Sequence, residues 1–346
     1  MKNKNSILVL GYFGYETNQL DGQTVKTRTV YRLLNEESSG SVFYFDTQQL
    51  KKNKAAVFSL LDLIIKSSRI VYLPARKNLT FIFPILFLIC FITGKSISYF
   101  VIGGWLPAFA GRNLFHKKLL QRIRNIFVET HAMEKTLNVE LGFKNVAIFP
   151  NFRFHGFIPA PIVTHSKFRM VFMSRITKLK GVDVIFRMAE LLKSQSKDSS
   201  VVIDFYGPLN PPEKEWFFNE LDRFNDFVAY HGALQPEQIF ETLSNYDVML
   251  FPTRYPGEGC PGAVIDAYIS GIPVIASDWK YNSEFVEHNV SGLIFLPEKE
   301  TDFYGFILEL IDNSSKLTAL KDGASKKSRE FSQEIAKEIL VQHKII

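Results

Sequence analysis

The sequence predicts an α/β protein of two doubly wound parallel sheets in tandem, on three observations. Its 346 residues, at the usual ~150 residues per domain, supply roughly two domains. Short β-branched or aromatic runs alternate with longer segments of helical period, the pattern of parallel strands joined by crossover helices. A stretch with two prolines, preceded by Pro150, and no sustained period, NFRFHGFIPAPIVTHSK from Asn151, separates two rounds of that alternation.

In the first round the strands read as Ile7–Gly11, Val42–Asp46, Ile70–Leu73, Ile97–Ile102, Ile126–Glu129 and Val146–Phe149. In the second they read as Arg169–Met173, Val201–Tyr206, Val228–Tyr230, Val248–Phe251, Val274–Ala276 and Leu293–Phe295. Helices are expected near 182–193, 213–224, 236–245, 261–270, 283–288 and 301–312. The expected domains are 1–151 and 168–315, with a linker at 152–167 and polar C-terminal helices at 316–346 that brace the two. Ligands of such sheets sit beyond the carboxyl ends of the strands, so a cleft between the domains is the expected site.

Composition excludes several classes. Hydrophobic residues make up 46% and charged residues 22%, which fits neither a disordered nor a fibrous chain. The 32 phenylalanines are scattered through every apolar run and read as core filling. With only Cys90 and Cys260, and no signal-peptide pattern in MKNKNSILVL, a reducing cytoplasmic compartment is expected. The net charge of +6 is uneven: residues 1–150 carry 20 Lys/Arg against 9 Asp/Glu, and residues 151–346 carry 21 against 26. A basic half suits an anionic membrane surface or a phosphorylated ligand, and the exposed cations expected to face such a bilayer are Lys26, Arg28 and Arg32 of the first helix, together with the apolar run at 79–93; no zinc spacing or RNP-like motif points to nucleic acid. Leu79–Thr93 is uncharged but too short, and interrupted by Pro84, to span a bilayer of about 20 apolar residues; it reads as a buried or surface-docking helix.

Three segments carry chemistry. In TRYPGEGCPGAVIDAYIS, from Thr253, the residues Gly257, Gly259 and Gly262 permit positive φ and close backbone approach, and Pro261 suits the start of a helix. Free N–H groups at a helix start favour an anionic or hydroxyl-rich ligand, and Glu258 and Asp266 lie eight positions apart, able to face one ligand. In SRITKLKG, Arg175 and Lys180 flank a turn after a strand, where a guanidinium and an ammonium suit two phosphates. Lys178 reads as solvated. The first-strand loop carries Gly11, Gly14 and Gly22 before a helix near Gln23 or Thr24; it is longer than a dinucleotide fingerprint.

With these segments in hand the chain resembles the family four retaining glycosyltransferases of the GT-B fold, two Rossmann-like domains, especially bacterial enzymes of surface polysaccharide synthesis. The resemblance runs through Asp21-Gly22-Gln23, YFVIGGWLP at 99–107, FVETHAMEKTL at 127–137, GFKNVAIFPN at 142–151, SRITKLKG at 174–181 and EGCPGAVIDA at 258–267. It implies a nucleotide-diphosphate sugar donor whose diphosphate is held by Arg175 and Lys180. Glu258 then meets the sugar hydroxyls, and the amides of Gly259, Cys260, Pro261 and Gly262 form the backbone lining, with Gly22 also near the donor. The second acid of the family's E-x7-E pattern binds the ribose; here it is Asp266, one methylene shorter. The resemblance puts Arg175, Lys180 and Glu258 in the catalytic role. Where many members place a His after the fourth strand this chain has Gly103-Gly104-Trp105, so Gln23, Gly104 and His131, with His116 as a further candidate, stand for the acceptor side.

The expected acceptor is a saccharide or a lipid-pyrophosphate-linked sugar at the inner membrane face. No Asp-x-Asp pair is present, so neither metal nor other cofactor is expected, and Arg175, Lys180 and a helix N-terminus would stabilise the leaving diphosphate. Two alternatives remain: a catalytically silent sugar-nucleotide or membrane-surface binding module, and a nucleotide-sugar epimerase of the same fold.

Overall fold

In a computed structural model describing all residues except 1–4, 18, 20, 75 and 160–165, the strands among the described residues form two separate parallel sheets. The first comprises β1 (Ile7–Gly11), β2 (Val42–Asp46), β3 (Arg69–Leu73), β4 (Ser96–Phe100), β5 (Asn125–Val128) and β6 (Val146–Ile148), in the order β2-β1-β3-β4-β5-β6. The second comprises β7 (Phe168–Met173), β8 (Val201–Tyr206), β9 (Val228–Tyr230), β10 (Val248–Phe251), β11 (Val274–Ser277) and β12 (Gly292–Phe295), in the order β12-β11-β10-β7-β8-β9. In each sheet the strand order reverses beside the first strand, between β1 and β3 and between β7 and β10. Loops that leave these switch points are where open α/β sheets bind ligands.

Two compact units result, one of residues 1–154 with 331–346 and one of residues 155–330. Of the expected linker 152–167, residues 160–165 lie outside the described residues. The helix Gln333–Gln342 therefore packs in the first unit, and the helix Ser314–Lys327 lies in the second.

Strand alternation gives the first sheet two faces. Ile7, Val9, Val71, Leu73, Phe100 and Phe127 share one core with Val30, Leu33 and Leu34 of the helix Gly22–Glu37 and with Ala336 and Leu340 of Gln333–Gln342. On the opposite face the ring of Tyr72 stacks on Phe83, centroids 6.1 Å apart, and so seats the helix Phe83–Thr93. The apolar run Leu79–Thr93 is thus two short helices, Arg76–Phe81 and Phe83–Thr93. Pro84 occupies the first turn of the second and Gly94 ends it at φ 68°.

In the second unit phenylalanines fill the core. Phe205 at the centre of the core lies 5.6 Å from Phe172, 5.4 Å from Phe186 and 5.5 Å from Phe217, centroid to centroid, within the range of favourable aromatic pairs.

Candidate functional site

In the second unit the loop after β7 and the loop after β10 leave the switch point side by side and are locked together. Gly181, at φ 83°, lies so close to Pro252 that a Cβ built on it would sit 2.1 Å from the Pro252 carbonyl oxygen. No residue but glycine fits there. The Arg254 amide donates to the Leu179 carbonyl at 2.8 Å, and the Arg254 guanidinium spans both oxygens of Asp183 at 2.7 and 2.6 Å. The loop after β8 joins them through Gly207, whose φ of 135° leaves no room for a Cβ against the Ser174 carbonyl.

This locking brings two predicted residues into contact. Lys180, in a short turn Lys178–Lys180, donates through Nζ to both carboxylate oxygens of Glu258, at 2.8 Å to Oε2. Glu258 is buried, and the Lys180 side chain retains 16% of its exposure. The exposed Tyr255 ring lies 4.8 Å from the same ammonium, close enough for cation–π attraction. Tyr255 is held in turn by its carbonyl, which accepts from Trp279 Nε1 at 2.8 Å.

Arg175 stands apart: it is exposed, and its guanidinium makes no hydrogen bond or ion pair among the described residues. Lys178 stacks its ammonium 4.4 Å from the Trp216 ring while its amide donates to Glu213 at 2.7 Å, so it belongs to the surface turn. The helix Gly262–Ile269 starts one residue later than the sequence suggests, with Pro261 as its extended N-cap at ψ 115°. Asp266 is buried within that helix, and Cys260 is buried beside its start. Gly257, Gly259 and Gly262 do not use the positive φ open to them. At Gly257 the requirement is instead close approach, since a Cβ there would meet the Tyr255 ring at 2.7 Å.

Behind the loops after β8 and β9 lies a polar network that sequence reading missed. Asp204 accepts from Tyr246 Oη at 2.8 Å and pairs with His231 Nε2 at 2.8 Å, while His231 stacks on Tyr206. Burial, reinforced by Tyr206 and Asp204, pushes the Tyr246 hydroxyl well above its usual range, so it stays a donor to Asp204. A charged residue inside an otherwise apolar strand pattern, as Asp204 is within Val201–Tyr206, was the available signal.

In the first unit the expected acceptor-side residues fall at strand carboxyl ends. Asp21 caps the helix Gly22–Glu37 in a reciprocal box with Thr24, both bonds 3.0 Å, which puts Gly22 exposed at the helix start with open space around it. Gln23 donates to the Leu73 carbonyl at the end of β3, at 3.0 Å. Gly104 follows β4, and His131 is an exposed first helical residue 3.7 Å from Glu134. His116 is elsewhere: its Nε2 meets the Thr80 carbonyl at 2.9 Å and joins two helices on the Tyr72 face.

Sequence reading also treated Lys26 as a surface cation. It is buried, 2.5 Å from Glu129 and 3.2 Å from the Val101 carbonyl, while the other Glu129 oxygen accepts from the Gly103 amide at 3.1 Å.

Comparison with known proteins supports the same picture. Residues 167–313 match the family described as "Glycosyl transferases group 1". The chain is 29% identical over 178 residues to the amylovoran biosynthesis glycosyltransferase AmsK of Erwinia amylovora, covering 50% of this chain and 43% of AmsK. It is 28% identical to a D-inositol 3-phosphate glycosyltransferase of Jonesia denitrificans, covering 47% of this chain and 39% of that one. The chain thus spans less than half the length of these curated relatives. Among solved structures, Anabaena HepE in complex with UDP and glucose superposes with a TM-score of 0.75 at 15% identity, covering 98% of each chain. The lipopolysaccharide outer core galactosyltransferase WaaB superposes at 0.69 and 13% identity, again covering 98% of each. Within the second unit, residues 167–313 resemble the group 1 glycosyltransferases, and the two parallel six-stranded sheets have the GT-B fold of these neighbours.

Proposed function

We propose that this chain, which resembles the group 1 glycosyltransferases over residues 167–313, transfers a sugar from a nucleotide-diphosphate donor to a saccharide or lipid-linked acceptor in bacterial surface polysaccharide synthesis, with retention at the anomeric carbon and without a metal. The observation that carries the reading is the pair of locked loops at the β7–β10 switch point. They hold Lys180 against Glu258, leave Arg175 without a hydrogen bond or ion pair among the described residues, and lead into the start of the helix Gly262–Ile269. The relation to AmsK over half the chain supports the polysaccharide context.

In this reading Arg175 and Lys180 take the donor diphosphate, Glu258 takes sugar hydroxyls, and the backbone from Gly259 to Gly262 lies against sugar and phosphate. Asp266 reaches the ribose. Lys180 then exchanges a carboxylate for a phosphate when donor arrives. That exchange releases Glu258 toward the sugar, so donor binding itself frees the second group. As the bond from the anomeric carbon to the diphosphate breaks, charge grows on phosphate oxygens, where two cations and a helix start are already in place. Gln23, Gly104 and His131 receive the acceptor. The basic first half suits an acceptor at the inner face of the cell membrane.

Thermal unfolding with UDP, GDP and ADP tests donor binding; a ligand at 100 times its Kd adds about 2.7 kcal/mol. Proton NMR of the first-formed product reads the anomeric configuration, and assay in chelator tests metal independence. An inverted product, or activity abolished by chelator and restored by a divalent ion, overturns those two parts. Asp266→Ala is expected to weaken nucleotide binding more than it slows turnover, and Asp266→Glu to bind at least as tightly as the parent.

A further inference from the structure

On the face of the first sheet that carries Tyr72, the helices Ala56–Lys66, Phe83–Thr93 and Leu114–Leu120 present large apolar side chains outward. Helix Phe83–Thr93 buries Phe83, Leu86 and Cys90 against the sheet, yet its outer stripe is Ile85, Leu88 and Phe91 rather than polar residues, with Phe91 74% exposed. Phe58 and Ile65 on one neighbouring helix and Phe115 on the other are exposed as well. The helices adjoin: His116 bonds the Thr80 carbonyl, and Lys95 just beyond Gly94 donates to the Ile65 carbonyl at 3.0 Å. A surface helix of a soluble domain ordinarily turns a polar stripe to water, and contiguous exposed apolar surface marks an interaction site.

The charge around this face selects the partner. Residues 47–128 hold 13 Lys/Arg and one acid, Asp62, and Asp62 is paired with Lys66. Exposed Lys54, Arg76, Lys77, Arg112 and Lys118 lie in or beside these helices. Apolar side chains ringed by cations fit the boundary of an anionic bilayer, where the rings enter the acyl edge and the cations meet headgroups. No helix among the described residues is long and apolar enough to cross a membrane, so the contact is one of lying on the surface.

We infer that this three-helix face docks the first unit on an anionic lipid bilayer. The helix Gly22–Glu37, whose Lys26, Arg28 and Arg32 the sequence also offered, takes no part. It lies on the opposite face of the sheet, Lys26 is buried, Arg28 Nε donates to the Phe13 carbonyl and Arg32 pairs with Glu36. The inference rests on the proposed membrane-face acceptor for its choice of partner, and its test is separable from donor binding.

The test is flotation of the full chain with vesicles of phosphatidylcholine alone or mixed with phosphatidylglycerol, at low and high salt. Binding is expected only with phosphatidylglycerol and should fall with salt. Leu88→Asp/Phe91→Asp should reduce it by about tenfold or more, Arg76→Glu/Lys77→Glu by a similar factor, and Arg28→Glu/Arg32→Glu not at all. The UDP-induced thermal shift, measured on the same samples, should be the same in all four proteins; its absence in all of them would fail the donor reading and leave the docking result standing. Absence of parental binding to phosphatidylglycerol vesicles at low salt overturns the inference, as does undiminished binding by the apolar-to-Asp variant. A parental dimer that Leu88→Asp/Phe91→Asp converts to monomer also overturns it, because a second copy would then cover the face.

Discussion

Each unit places a lysine from the segment that follows its first strand, Lys26 in the helix Gly22–Glu37 and Lys180 in the loop after β7, against a glutamate that follows a later strand, and the two pairs have opposite characters. In the first unit Lys26 and Glu129 are 3% and 1% exposed, and each also bonds the backbone beyond β4, at Val101 and Gly103. In the second, Lys180 keeps 16% exposure, its ammonium has Glu258 as its one hydrogen-bond partner among the described residues, and an aromatic ring flanks it. The same chemistry serves as a rivet in one sheet and as a replaceable contact in the other. What separates them is the number of further bonds and the access of water, since both are Lys–Glu pairs at strand ends.

Four measurements break or sharpen that contrast. Lys26→Ala leaves Glu129 charged and enclosed, so urea unfolding should show a loss of about 3–5 kcal/mol, the usual result of removing one member of a buried pair. The double change Lys26→Met/Glu129→Leu should recover much of it, and a loss as large as that of the single variant would mean that the bonds to Val101 and Gly103 matter more than the charges. Lys180→Ala should instead act on function. Its transition-state stabilisation should fall by about 2–4 kcal/mol, as for removal of a preorganised donor, with nucleotide affinity and turnover declining together; unchanged kinetics would place the diphosphate elsewhere.

Glu258→Gln distinguishes a replaceable contact most sharply. It removes the competitor for Lys180, so UDP should bind as tightly as to the parent or more tightly while turnover drops. Weaker UDP binding would mean the carboxylate orients the ammonium rather than competing for it. The smallest effect belongs to Arg254→Ala. Its pairing with Asp183 is a third exposed, so stability should fall by only about 1 kcal/mol or less, with UDP affinity nearly intact because Gly181 still seats the two loops against each other. A collapse of UDP affinity would show that the ion pair, rather than the Gly181–Pro252 contact, holds the loops in register.

The sheets were legible and the pairs largely were not. Val201–Tyr206 and Val248–Phe251 are read from β-branched and aromatic runs, a local signal that survives in the fold. Lys180 and Glu258 could be singled out because each sits in a glycine-bearing loop after a strand, but nothing local says that they touch across 78 positions. Lys26 was misread because its helix also carries Arg28 and Arg32, while its partner lies 103 positions away. Glu129 offered a clue as an acid closing the apolar run at 126–129. The outward stripe on Phe83–Thr93 was invisible for the opposite reason: every residue of the helix is apolar or threonine, so periodicity cannot tell its inner side from its outer.

The helix Gln333–Gln342 joins the first unit although 155–330 stand between it and the rest of that unit in the chain. Synthesis therefore delivers a complete second unit while the first still lacks part of its cover. Until Ala336 and Leu340 arrive, the core they share with Val9, Phe100 and Phe127 is open, and Arg69 has yet to meet the carbonyls of Lys344 and Ile345. Domains emerging from the ribosome usually fold in the order of synthesis; here the unit that begins first is closed last, and it is the one an early chaperone would find exposed.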